Sequence, residues 1–118
     1  MPRRALAFIS VTVLAFALSA CAPASKPPLV PSATGADPVV TVQVVDNRYE
    51  PSEVQIEAGQ AVRWVFQGVM EHDVVAEDGS FVSELVTTGE YVHVFEEAGV
   101  FAYDCSIHPE MTGTVVVR

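Results

Sequence analysis

Positive charge and cysteine are both scarce in this chain. Lys and Arg total 6 against 15 Asp and Glu, a formal net charge of −9 at pH 7. A protein this acidic repels phosphate, which excludes functions built on nucleic-acid binding. Only 2 of the 118 residues are Cys, too few for a disulfide-stapled scaffold. No stretch beyond the N-terminus has the 3.6-residue apolar period of an amphipathic helix. Nor does any apolar run reach the roughly 20 residues that a membrane-crossing helix needs. With 50% hydrophobic residues, what remains is one compact domain around one core.

The first twenty residues stand apart. Arg3 and Arg4 precede an apolar run from Ala5 to Leu18 that ends in Leu18-Ser19-Ala20-Cys21. A basic start, a short apolar stretch and small residues before the end define a signal peptide, and the last four residues resemble a bacterial lipobox. The resemblance implies removal of residues 1–20 and a lipid anchor on Cys21, giving a lipoprotein on the extracytoplasmic side of the membrane, periplasmic or at the cell surface. An ordinary secretory signal that happens to end near a Cys is the alternative, and Arg3-Arg4 leaves the export route open between general secretion and the twin-arginine system. If Cys21 is acylated, Cys105 has no intramolecular disulfide partner, and a lone thiol in an oxidising compartment calls for a reason. Between them, residues 21–38 contain Pro23, Pro27, Pro28, Pro31 and Pro38 among Ala, Ser, Thr and Gly. This composition predicts an extended linker that holds the domain up to roughly 50 Å from the membrane.

From Val39 onward, short β-rich runs alternate with turn residues, so residues 39–118 read as one all-β domain. Strands are expected at 39–45, 53–57, 61–66, 72–77, 80–86, 90–95, 100–105 and 112–118, with turns at Ala58-Gly59-Gln60, Asp78-Gly79, Thr88-Gly89 and Ala98-Gly99. About eight strands of this kind form a β-sandwich. Alternation places Val62, Trp64 and Phe66 on one face, and Phe101, Tyr103 and Cys105 on another, so that Cys105 points inward.

One stretch carries chemistry. Cys105-Ser106-Ile107-His108-Pro109-Glu110-Met111 puts a thiolate, an imidazole and a thioether close together where one strand ends, and His72 supplies a second imidazole from an earlier segment. A soft thiolate and two imidazoles suit copper in a trigonal plane, with a weak axial thioether tuning its potential. A site that favours the preferred geometry of neither oxidation state rearranges little as an electron arrives or leaves, which points to single-electron transfer. Zinc fits less well, because thioether is a poor partner for it. Thiol catalysis by Cys105 with His108 would need an accessible thiolate and an open pocket. The bland alternative is a buried free Cys beside incidental His and Met residues.

Further segments carry a family resemblance: Tyr49-Glu50-Pro51, Glu57-Ala58-Gly59, Val62-Arg63-Trp64-Val65, Met70-Glu71-His72-Asp73-Val74, Phe95-Glu96-Glu97-Ala98-Gly99, Tyr103-Asp104-Cys105, His108-Pro109-Glu110-Met111 and Gly113-Thr114-Val115-Val116-Val117. Over 39–118 the chain resembles the cupredoxins, the type 1 (blue) copper proteins. Within them it is most similar to the plastocyanin and amicyanin kind, and its two-residue gap between His108 and Met111 matches the short loop of the amicyanin type.

The resemblance implies a Greek-key β-sandwich holding one copper, with His72, Cys105 and His108 equatorial and Met111 axial. It implies a monomeric carrier without enzymatic activity, passing electrons to and from protein partners that dock transiently at an apolar surface around His108, including Met70, Ile107 and Pro109. A copper-binding storage or delivery lipoprotein using the same ligands is the other function. Two departures stand out: Asp73 replaces a frequent Asn, and Ile107 replaces a frequent Pro. An Asn there ties the two ligand loops together; a carboxylate can accept such bonds but not donate them. Its charge beside the ion favours Cu(II), so Asp73→Asn is expected to raise the midpoint potential. His93, in the middle of a strand, reads as structural.

Overall fold

The computed structural model describes residues 25–118. The expected signal peptide over residues 1–20, the lipobox-like stretch and Cys21 lie outside the described residues.

Among the described residues, eight strands make two mixed four-stranded sheets: β1 (Pro38–Val45), β2 (Arg48–Glu50), β3 (Glu53–Ile56), β4 (Ala61–His72), β5 (Val75–Ala76), β6 (Val86–Val94), β7 (Gly99–Cys105) and β8 (His108–Val117). One sheet runs β2-β1-β4-β6 and the other β3-β8-β7-β5. β1 pairs parallel with β4, and β3 parallel with β8. The all-β sandwich expected from the alternating runs is the observed fold. Val62, Trp64 and Phe66 are buried together from β4, as are Tyr103 and Cys105 from β7. Trp64 is the hub of the core: Phe81 stacks on it at 5.4 Å between ring centroids, and Tyr103 meets it edge-on at 5.6 Å. Such aromatic pairs add about 0.5–1.5 kcal/mol each to the burial of their surface.

Several boundaries differ from expectation, and the differences matter to the site. β2 was not expected; it is short and its neighbours are polar, but Asp46-Asn47 makes a two-residue turn with Asn47 at φ 68°, which closes a hairpin with β1. Residues 80–85 form no strand, with Val82 making only an isolated bridge to Val75, and Val86 belongs to β6. Thr88-Gly89 is not a turn but lies within β6, with Gly89 at φ 132°. His72 ends β4 rather than beginning a strand, and β8 begins at His108 rather than Thr112. In both cases cross-strand pairing carries a strand further than its apolar run extends.

Part of the Pro-rich segment expected as an extended linker over residues 21–38 is docked on the domain. Val30 N–H donates to Val82 O at 2.9 Å and Ala33 N–H to Val92 O at 2.8 Å, while Ser32 Oγ accepts from Val92 N–H at 3.0 Å. Proline has no N–H to offer a sheet, but the residues between the prolines do, and they dock the segment on the domain.

His93 packs between Phe81 and Phe95, at 5.2 and 4.8 Å between ring centroids. Burial lowers its pKa from the ordinary 6.5, against a weaker upward pull from Asp78. A depressed folded-state pKa means that the stability this ring contributes is present above pH 6.5 and lost as pH falls through the folded value. Urea unfolding of metal-free His93→Phe protein is therefore expected to show a shallower loss of stability on the acid side of pH 6.5 than the parent. Equal slopes would remove His93 from the acid response.

Candidate metal centre

The β7–β8 hairpin and the end of β4 build the site. Cys105 pairs with His108 across a two-residue turn, Ser106-Ile107, next to a register shift at Asp104/Cys105. His72 arrives from β4 beyond an irregularity between Gln67 and His72. One donor atom from each of His72, Cys105 and His108 lies within 4.8 Å of the others. Cys105 Sγ stands 3.9 Å from His72 Nδ1 and 3.7 Å from His108 Nδ1. A thiolate and an imidazole bound at about 2.3 and 2.05 Å in one trigonal plane stand about 3.8 Å apart, so the spacing fits one shared ion. His72 and Cys105 are fully buried, and His108 is partly exposed. Met111, three residues past His108 in β8, is buried in the same core cluster as Cys105. A buried pocket that can offer thiolate sulfur and imidazole nitrogen to an ion suits a soft-to-borderline transition metal, and copper best when a thioether is at hand.

Burial raises the pKa of the Cys105 thiol, while backbone N–H groups of Asp73, Ile107 and His108 pull it back down. The metal-free site thus holds a protonated thiol at neutral pH, and a bound ion holds a thiolate, so metal uptake releases this proton and strengthens as pH rises.

The surroundings hold the ligands in place. Asp73, fully buried, accepts from Ser106 N–H on Oδ1 at 2.7 Å and from Ser106 Oγ–H on Oδ2 at 2.6 Å. The carboxylate therefore does join the two ligand segments, entirely as an acceptor. Tyr49 Oη–H donates to Asp73 O at 2.6 Å from the β2 side, which gives Tyr49-Glu50-Pro51 a part in shaping the ligand loop.

Asp46 is a residue that sequence reasoning missed. Its carboxylate sits 3.1 Å from His72 Nε2 and accepts from Val69 N–H at 3.2 Å and Met70 N–H at 3.3 Å. With Nδ1 turned toward Cys105, Nε2 is the ring nitrogen placed to donate a hydrogen bond to Asp46. That bond, with those from the two amides, lowers the carboxyl pKa of Asp46. Gly68 leaves room for this arrangement, because a Cβ there would collide with the Asp46 carboxylate and crowd the His72 ring. The available signal was Asp at a two-residue turn, a position that holds a carboxylate rigidly near the opposite strand. Asp46→Ala is expected to weaken metal binding 10- to 100-fold in competition with a chelator, the usual cost of losing such a partner. An unchanged affinity would deny Asp46 this role.

These observations define a cupredoxin. The profile of the cupredoxin-like domain family matches residues 8–117, and the chain belongs to that family. It is similar to amicyanin from Paracoccus versutus, at 37% identity over 100 residues that cover 80% of this chain and 75% of the relative. It is also similar to amicyanin from Paracoccus denitrificans, at 30% identity covering 70% and 68%. The crystal structure of the Paracoccus versutus amicyanin superposes with a TM-score of 0.62 at 34% identity, covering 80% of this chain and 96% of that one. The Cu(I) form of an amicyanin variant superposes with a TM-score of 0.64 at 28% identity, covering 81% and 95%.

Proposed function

We propose that this protein is a type 1 copper electron carrier, with His72, Cys105 and His108 as equatorial ligands, Met111 as the axial ligand, and no enzymatic activity of its own. The observation that carries the proposal is the convergence of one sulfur and two ring nitrogens, at 3.9 and 3.7 Å from the sulfur, in a pocket sealed on the Cys105 and His72 side. The likeness to amicyanins, one of them solved as its Cu(I) form, supports copper as the ion. The hydrogen bonds around Asp73 and Asp46 support a cage that stays fixed while the ion changes valence.

Electrons pass through the partly exposed edge of His108. Val69, Met70, Ile107 and Pro109 are exposed in the two ligand-bearing segments, with Val69 at 86%. This apolar rim suits brief docking of donor and acceptor proteins, since it sheds water without committing either side to a large interface. Cleavage before Cys21 and lipid attachment there hold the carrier on the extracytoplasmic face of a membrane, as the lipobox-like Leu18-Ser19-Ala20-Cys21 suggests; the mass of the mature N-terminus tests that part.

Copper(II) added to the metal-free protein is expected to produce a strong thiolate-to-copper band in the visible, a type 1 paramagnetic resonance signal and a reversible Cu(II)/Cu(I) couple. A colourless copper complex sinks the proposal. A blue complex that gives up Cu(I) readily to an acceptor and fails to cycle favours copper delivery instead.

A further inference from the structure

The carboxylate of Asp73 serves two masters. One is the ligand hairpin, through the amide and hydroxyl of Ser106. The other is Lys26, far away in sequence, whose Nζ donates to Asp73 Oδ2 at 2.6 Å and to Ser83 O at 2.8 Å. The Asp73 side chain has no exposure and that of Lys26 has 28%. A buried carboxylate without a counter-charge is costly, and removing one member of such a pair leaves the other stranded. Lys26 opens the segment that Val30, Ser32 and Ala33 fasten to Val82 and Val92. The fastened backbone thus delivers the ammonium to the buried carboxylate that touches the hairpin carrying Cys105 and His108.

We propose that residues 26–33 form a strap belonging to the metal centre, in which Lys26 is a positioning residue that holds Asp73 and, through it, the Cys105–His108 hairpin. The inference rests on the copper reading above. The strap also sets the electrostatics of the ion: with Lys26 present, the negative charge of Asp73 is balanced beside the copper, and without it Cu(II) is favoured.

Two measurements on the whole protein test this. In the metal-free state, hydrogen exchange is followed at the amides of Val30, Ala33 and Ser106, with Trp64 as a core reference. Lys26→Met is expected to speed exchange roughly tenfold at the first three and leave Trp64 unchanged, as in a local opening, and Lys26→Arg to restore protection. Faster exchange at Val30 and Ala33 alone, an equal rise at Trp64, or no change at any of them overturns the proposal. In the copper form, Lys26→Met is expected to lower the midpoint potential, Asp73→Asn to raise it, and the double variant to fall between them. A potential unmoved by Lys26→Met overturns the electrostatic role. The exchange arm needs no metal, so a wild-type protein that fails to turn blue defeats the copper reading without touching the coupling. Lost coupling in a protein that is still blue defeats the strap alone.

Discussion

Copper(II) added to Cys105→Ser protein yields no intense visible band. The band requires a thiolate bonded to the ion, and Cys105 is the one cysteine among the described residues, wholly buried between two imidazoles. A serine hydroxyl has nearly the same shape, so the sandwich and the positions of His72 and His108 are expected to survive. Its oxygen is harder, however, and gives up its proton far less readily than a thiol does. The two histidines then hold copper alone, weakly and without the trigonal plane. Optical and paramagnetic resonance spectra taken side by side with the parent check this, with far-ultraviolet circular dichroism confirming the fold. A retained blue band would place the colour, and the site, elsewhere.

Gly113→Ala is expected to be the most damaging single methyl in the domain. Gly113 faces Tyr103 across the β7–β8 ladder, and a Cβ there would overlap the Tyr103 ring at Cζ, Oη and Cε2. That ring has nowhere to go: it is 1% exposed and wedged against Tyr49 at 4.7 Å, Trp64 at 5.6 Å and Phe81 at 5.8 Å. Forcing atoms into such a core costs about 1–3 kcal/mol, and in a domain of this size each kcal/mol lowers Tm by roughly 4–8 °C. The damage also reaches the metal centre, because Tyr49, displaced with Tyr103, holds the carbonyl of Asp73. Thermal melts of Gly113→Ala alone and combined with Tyr103→Leu check the cause; if the clash is responsible, the pair loses less than the sum of the single changes. An unaltered Tm for Gly113→Ala would show that the ladder absorbs the methyl.

Most of the architecture was legible in the chain because its strands alternate cleanly. Val62, Trp64 and Phe66, or Tyr103 and Cys105, announce a buried face by period alone. The metal donors were legible for a different reason: Cys105, His108 and Met111 are close in sequence, and donor chemistry narrows the ion. His72 could be joined to them only by family likeness, since nothing in its own segment points to Cys105. What stayed hidden depends on long-range contact between polar groups. The Asp46 carboxylate lies 26 residues from His72 in sequence, and Lys26 lies 47 from Asp73. Neither pair leaves a periodic trace. The proline-rich stretch misled because composition reports how stiff a segment is, not whether its remaining amides find partners on a neighbouring sheet.

The docked segment has a topographical consequence for an acylated protein. Were residues 21–38 free, the copper would roam on a long leash. With Lys26 pinned beside Asp73, only the few links from Cys21 to Lys26 separate lipid from protein body, and even stretched taut they span at most about 18 Å. The blue centre would then ride just above the headgroups, in reach of membrane-embedded oxidants and reductants skimming the same plane, and out of easy reach of partners diffusing far from the bilayer.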